Sequence, residues 1–302
     1  MTDPKGPLFG AIEAGGTKFV LAIFKGEDEV LVQHTLPTTS PAETFAHVIQ
    51  FFEKSQQEFG AVSAFGVASF GPINIDKRSP SFGVIGSTPK PGWAGASMIA
   101  PLRQFGVPIA LDTDVNCAGL GEWTSGAGQG CETLAYITVG TGVGIGVLDN
   151  GTPINGCGHL EGGHIRVPRH PQDLDFAGSC PFHGDCLEGL ASGTAISRRW
   201  GRPLGHLGDR NDLAIEVEAH YLAEACMTLT YLHRPDRIIL GGGVMQAAGL
   251  LAQVRQLMEQ KAGRYLDFPG GLEQYVRECS LSEIAPALAG ANVLAKTVSR
   301  AA

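Results

Sequence analysis

The densest set of metal-competent side chains in the 302-residue sequence is Cys180-Pro-Phe-His183-Gly-Asp-Cys186. Three soft or borderline ligands spaced C-x2-H-x2-C suit zinc, which takes four such groups in a tetrahedron. His164, from Glu161-Gly162-Gly163-His164, is the expected fourth ligand, with His159 and His170 as competitors. A Cys180–Cys186 disulfide is disfavoured, because seven cysteines scattered over a long chain do not read as a secreted framework. Four protein ligands leave no position for water, so the metal is expected to be structural. Its purpose is then positional: Glu161 lies three residues before His164 and Glu188 two after Cys186. Two carboxylates held together accept hydrogen bonds from adjacent hydroxyls, which is what a sugar offers.

A second chemistry is written in glycine. In Glu13-Ala14-Gly15-Gly16-Thr17-Lys18, two glycines let backbone N–H groups face an anion beside a hydroxyl and an ammonium. No Walker sequence is present. Gly140-Thr141-Gly142 offers a similar hydroxyl on bare backbone, and Gly241-Gly242-Gly243 gives a third close approach suited to a purine or ribose. Any one of these alone reads as an ordinary turn; three of them favour a phosphorylated ligand. Asp112-Thr113-Asp114-Val115-Asn116 ends an apolar strand, where open α/β sheets bind ligands. A carboxylate there can take the proton of a hydroxyl as that oxygen attacks phosphorus. The competing reading is an N-cap, a role in which Asp and Thr are common.

The elements that must carry these residues follow from periodicity. Leu8–Ile12 and Phe19–Phe24 read as two strands of a hairpin broken at Gly15-Gly16. Phe45, Val48, Ile49 and Phe52 keep helical spacing over 41–60, with Ser40 as cap and Gly60 as stop. Phe65–Ala68 reads as a strand, and Phe70–Gly95, rich in Pro, Gly and Ser, as a long ordered loop of functional type. Val107–Leu111 is a strand leading into a helix through Glu122. Thr133–Val147 is a second hairpin, followed by the Asn150-Gly151 turn. Beyond it come a helix over 213–233, a strand over 237–240, a helix over 245–262 and a last helix from about 284. The likeness of segments 15–23 and 140–148 suggests a duplicated α/β architecture.

Composition excludes other classes. Twenty-two basic against 30 acidic residues give a net charge of −8, which disfavours nucleic acid as a partner. There is no uninterrupted apolar run long enough to span a membrane, and the N-terminal Met1–Pro7 is polar and turn-rich. A cytoplasmic protein is expected. Glycine, 42 residues, is roughly twice its usual ~7% share, and clusters where backbone must approach something closely.

Taken together, GGTK at 15–18, D-V-N at 114–116 with A-x-x-G-E at 118–122, G-T-G at 140–142, E-x-G-H at 161–164, the Cys/His cluster and L-G-G-G at 240–243 resemble the ROK family of sugar kinases and repressors. TPKPGW at 88–93 and CPFHGDCLEGLASG at 180–193 look like its bacterial fructokinase branch. The resemblance runs in order from about residue 8 to 295. It implies an actin-like (ribonuclease H-like) duplicated α/β fold with two lobes and ATP in the interlobe cleft. The lobes expected are a small one over 1–111, completed by a C-terminal helix over 284–302, and a large one over 112–283 with a zinc-binding insertion near 157–190.

The implied reaction is ATP-dependent phosphorylation of D-fructose to fructose 6-phosphate, with mannose, glucose and N-acetylmannosamine as alternative substrates. By that likeness Asp114 is the general base, Glu161, His164 and Glu188 hold sugar hydroxyls, and His164, Cys180, His183 and Cys186 bind Zn²⁺. Gly15, Gly16, Thr17, Lys18 and Thr141 approach the phosphates of ATP, Gly241 and Gly242 its adenosine, and Mg²⁺ accompanies it. A homodimer is the family's habit. This sequence departs from the family pattern in two places: Glu13 stands where Asp is usual, and Thr113 where Asn is usual. Thr113 is expected at the sugar, where one short hydroxyl in place of an amide could separate a ketose from an aldose. Only 14 residues precede Gly15, too few for the helix-turn-helix arm of a repressor. A sugar-binding protein that has lost catalysis is the remaining rival.

Overall fold

A computed structural model describes residues 6–26, 28–268 and 270–301. The N-terminal turn expected from Met1 therefore lies outside the described residues up to Lys5, as does the last residue of the expected 284–302 helix. The chain folds as two compact units. The first contains residues up to Ser125, Asn155–His159 and the segment from Leu281; the second contains Gly126–Ile154 and Leu160–Ser280.

In the first unit, β1 (Leu8–Ala14), β2 (Lys18–Lys25), β3 (Glu29–Pro37), α1 (Pro41–Phe59), β4 (Val62–Ser69), β5 (Ile109–Thr113) and α2 (Asp114–Ser125) follow one another. The sheet order is β3-β2-β1-β4-β5. The β1–β2 and β2–β3 pairs are antiparallel, and β4 and β5 join parallel to β1. Helix α1 begins where expected: the Ser40 side chain accepts from Glu43 N–H, Pro41 takes the first turn, and Phe45, Val48 and Phe52 turn inward. Segment 70–99 is ordered by bridges Ile73–Ile85 and Val84–Ser97.

The second unit holds β6 (Thr133–Val139), β7 (Val143–Asp149), β8 (Thr152–Pro153), α3 (Leu187–Ala191), α4 (Gly193–Trp200), α5 (Asn211–His233), β9 (Arg237–Gly241), α6 (Leu250–Ala262), α7 (Leu272–Tyr275) and β10 (Val276–Glu278). Its sheet order is β10-β9-β6-β7-β8. Read from β8, this repeats the first sheet: three antiparallel strands, then two parallel ones. The duplication suggested by two glycine hairpins is thus a duplication of topology. The helix expected from Met245 starts instead at Leu250, because Gly249 adopts φ 84°, outside the helical region.

The final helix, α8 (Pro286–Ala301), returns to the first unit and packs on β4, β1 and α2. Contact with α2 is backbone to backbone: a Cβ on Gly290 would lie 1.8 Å from the Cys117 carbonyl oxygen. The boundary therefore falls after α2, not at the 111/112 position expected from the sequence, since α2 is held by α8. No helix among the described residues is long and apolar enough to cross a membrane.

Candidate active site

In the first unit the Gly15–Lys18 turn joins β1 to β2. Gly15 N–H donates to the Lys18 carbonyl at 2.9 Å. Thr38, leaving β3, fixes the turn from behind: its hydroxyl donates to the Gly15 carbonyl at 2.8 Å and its N–H to the Thr17 carbonyl at 2.9 Å. Gly16, Thr17 and Lys18 are exposed, and the space beside Gly16 is open for at least 4 Å. Under the turn, Glu13 Oε2 is buried with no hydrogen-bond partner. Burial pushes the Glu13 carboxyl up, against the opposing pull of the Lys18 ammonium. An orphaned carboxylate oxygen next to an open glycine turn is a fit for a cation.

Asp114 opens α2 at the carboxyl end of β5, and its Oδ1 accepts from Val115 N–H at 2.8 Å. Thr113, only 3% exposed, accepts from Asn116 N–H through its hydroxyl at 3.2 Å. That is the N-cap geometry, so the capping role considered for this segment falls to Thr113 and leaves Asp114 at the helix head. Asp112 supports both: its Oδ1 accepts from Thr113 N–H and from Asn116 Nδ2, each at 2.7 Å. Burial pushes the Asp112 carboxyl up, and those two hydrogen bonds oppose the shift. Asn116 also reaches Asn155 Oδ1 at 3.4 Å, tying the strand end to the 155–159 segment. Asp112 and Asn116 thus shape the site although the sequence reading gave them no role of their own.

In the second unit, His164, Cys180, His183 and Cys186 bring their ligand atoms within 4.8 Å of one another. His164 Nδ1 lies 3.4 Å from Cys186 Sγ and 3.8 Å from Cys180 Sγ, and His183 Nδ1 lies 3.7 Å from Cys180 Sγ. Tetrahedral zinc with Zn–S ≈ 2.3 and Zn–N ≈ 2.05 Å gives an S···N edge of about 3.6 Å. The donor set and its spacing fit the metal. Cys180 and Gly184 exchange backbone hydrogen bonds of 3.1 and 3.0 Å across the tight loop, and Gly184 takes the required φ of 66°. Of the competing ligands, His159 belongs to the first unit, where its Nε2 accepts from Ile73 N–H at 3.2 Å. His170 Nδ1 accepts from Gln172 N–H at 3.2 Å. All seven cysteines are free thiols.

The cluster sits among the two glutamates. Cys186 immediately precedes α3, which carries Glu188. His164 Nε2 lies 3.8 Å from Glu161 Oε2, and Glu161 is 52% exposed. Both segments lean on Val143: its N–H donates to Glu188 Oε2 at 3.1 Å, and a Cβ on Gly163 would meet its carbonyl oxygen at 1.9 Å. Glu188 therefore also anchors the Gly140–Gly142 turn, a role the sequence did not reveal. Replacing Glu188 by Ala leaves the buried Val143 N–H without an acceptor and is expected to cost about 1–3 kcal/mol. Glu188→Gln keeps an acceptor oxygen and should recover most of that loss. Urea unfolding of the two variants checks this; equal destabilisation would show that charge, not the hydrogen bond, matters there.

The Gly140–Gly142 turn is closed by Gly140 N–H to the Gly142 carbonyl at 2.9 Å, and Thr141 is exposed on it. Gly193 N–H donates to the Gly140 carbonyl at 2.7 Å and the Thr194 hydroxyl to the Thr141 carbonyl at 2.8 Å. At the third glycine run the close approaches are internal. A Cβ on Gly241 would lie 2.0 Å from the Tyr136 hydroxyl, and one on Gly242 2.3 Å from the Val139 carbonyl oxygen. Gly243 faces open space. A recess of about 620 Å³ beside α6, lined by Arg255, Glu259 and Asp267 among others, contains none of these residues.

Residues 9–298 match the model of the ROK family. The chain belongs to this family. It is 45% identical over 263 residues to a fructokinase of Zymomonas mobilis, covering 86% of this chain and 87% of the relative. A fructokinase of Streptococcus mutans is 39% identical over 294 residues, covering 96% and 98%. Among solved structures, the ROK hexokinase of Thermus thermophilus superposes with a TM-score of 0.79 at 24% identity, covering 98% of this chain and all of that one. The fold is accordingly the actin-like α/β fold of the ROK family, built from two lobes.

Proposed function

We propose that this chain transfers the terminal phosphoryl group of ATP to the 6-hydroxyl of D-fructose. The observation that carries the substrate is the 45% identity to a fructokinase over 86% of the chain. Asp114 is the general base, from its position at the head of α2 beyond β5. It takes the hydroxyl proton late in the transfer, when that proton has become acidic, so an ordinary carboxylate suffices. Asp112, Thr113 and Asn116 hydrogen-bond to one another and so fix the strand end and first helical turn that carry Asp114. Thr113 keeps its own hydroxyl proton to donate toward the sugar.

Glu161 and Glu188 accept from sugar hydroxyls, with His164 beside them. Zn²⁺ on His164, Cys180, His183 and Cys186 supplies rigidity and no chemistry. Gly15, Gly16, Thr17, Lys18 and Thr141 receive the phosphates, and Gly241 and Gly242 shape the turn against which adenosine lies. The orphaned Glu13 Oε2 is the group that would hold Mg²⁺, directly or through water; the extra methylene of Glu over the usual Asp extends its reach. When bound, Mg²⁺ neutralises charge on the phosphoryl oxygens. Tyr231 and Leu232 at the end of α5, and Tyr265 beyond α6, are large exposed apolar side chains in keeping with a homodimer, which light scattering would check. The seven free thiols are in keeping with a cytoplasmic setting.

The decisive experiment is ADP release from Mg-ATP against fructose, mannose, glucose and N-acetylmannosamine. A preference for fructose is expected. A preference for an aldose would overturn the substrate assignment and keep the mechanism, and silence with every sugar would overturn the kinase reading.

A further inference from the structure

Lys90 lies in the long segment between β4 and β5, yet its Nζ donates to the carbonyl oxygen of Gly16, 74 residues earlier. The backbone that carries it is fixed on both sides. Lys90 N–H donates to Thr88 Oγ1 at 3.3 Å, and its carbonyl accepts from Trp93 N–H at 3.2 Å. Trp93 is fully buried, packed against Phe19, Phe45 and Phe70, and its indole N–H donates to the Thr39 carbonyl at 2.8 Å. Thr39 follows Thr38, the residue that fixes the Gly15–Lys18 turn from behind. The loop and the turn are thus anchored to the same β3–α1 junction, and Lys90 closes the remaining side.

A half-exposed lysine on a carbonyl adds little to stability, since water offers both groups equivalent partners and ordering the side chain costs entropy. Stability therefore does not explain the arrangement. Charge placement does. The ammonium has three donors and spends one on Gly16. Lys18 on the same turn has Glu13 to offset its charge, whereas no carboxylate pairs with Lys90 among the described residues. The flank of Gly16 is open, so an anion seated on the turn comes within reach of both lysines.

We infer that Lys90 is a phosphate ligand: it binds the terminal phosphoryl group of the nucleotide at the Gly15–Lys18 turn, with the Gly16 carbonyl holding the ammonium in place until the anion arrives. A compact ammonium is suited to the spread charge of a phosphoryl in transfer, and it serves binding and rate together. This inference rests on the kinase reading above.

The test compares Lys90→Met and Lys90→Arg with the wild type, by calorimetric binding of Mg-ATP, Mg-ADP and fructose and by ADP release. Lys90→Met is expected to weaken Mg-ATP binding at least tenfold, to bring ATP and ADP affinities toward each other, and to lower kcat at least tenfold. Fructose affinity should stay within twofold, and Lys90→Arg should recover most of the ATP affinity. An unchanged ratio of ATP to ADP affinity overturns the assignment, and so does a change confined to fructose. If Lys90→Met also melts earlier, that ratio still decides, because general loosening weakens both nucleotides alike. Silence of the wild type with every sugar would instead refute the kinase reading, and the ATP-to-ADP ratio would still judge Lys90.

Discussion

Asp114→Asn is expected to lower kcat by roughly 10²- to 10⁴-fold, the range typical of removing a positioned general base. At about 1.36 kcal/mol per tenfold, this is a rise of about 3–5 kcal/mol in the barrier. Sugar and nucleotide affinities should change by less than about threefold, because the amide is nearly isosteric and can still accept the Val115 N–H bond through its oxygen. Loss of a negative charge in the first turn of α2 costs a further 0.3–1 kcal/mol or so of stability, visible as a small drop in Tm. Steady-state ADP release with independent binding isotherms separates these effects. Turnover above a tenth of wild type would show that the proton leaves by another route.

Cys180→Ser, or removal of zinc by a chelator, is expected to lower stability and sugar affinity together. The cause is geometric. His164 sits three residues from Glu161, and Cys186 opens the helix that presents Glu188. The cluster adds side-chain ligands to the two backbone bonds that join these segments, Ser179 N–H to the Gly189 carbonyl at 2.8 Å and Leu187 N–H to the Ile165 carbonyl at 2.9 Å. Without the metal the two glutamates keep only their shared contact with Val143 and the Leu187–Ile165 backbone bond, and lose the side-chain link between their segments. Metal analysis should find about one zinc per chain, and its loss should drop Tm by roughly 10 °C or more, in line with the several kcal/mol a structural zinc site contributes. The KM for fructose should rise about tenfold, as loss of supporting order around a site commonly costs, while the KM for ATP moves little. Absence of zinc from the purified wild type, with an unchanged Tm in Cys180→Ser, would refute the metal site.

What the sequence revealed was local. The two glycine hairpins, the helix capped by Ser40, the strand into Asp114 and the Cys/His cluster are each specified by neighbours close along the chain, the widest span being the 22 residues from His164 to Cys186, and each stands where expected. What it hid depends on partners far along the chain. Strand β3 is half exposed and its apolar run, Val30-Leu31-Val32, is short, so its pairing with β2 is what defines it. Strand β10 is three residues long and exists only as an edge on β9. Membership of α2 and of 155–159 in the first unit follows from packing, in one case against α8 and in the other against Asn116 and Ile73. His159 was a fair candidate ligand by spacing and is engaged elsewhere for the same reason. Lys90 looked like one residue of a motif, and its contact with Gly16 lies 74 residues away.

The return of α8 to the first unit also sets an order of assembly during synthesis. Domains usually fold as they leave the ribosome, N-terminal first. Here the sheet of the first unit is complete once β5 has emerged, but the glycine-lined face of α2 and the flank of β4 wait for α8, which begins only at Pro286. The second unit needs nothing beyond Ser280 and so is the first that can finish. The head of α2, where Asp114 sits, gains its last support only when α8 has been made. A chain that stops before Pro286 is therefore expected to carry a finished second unit and an α2 without its partner helix, and to show no sugar turnover.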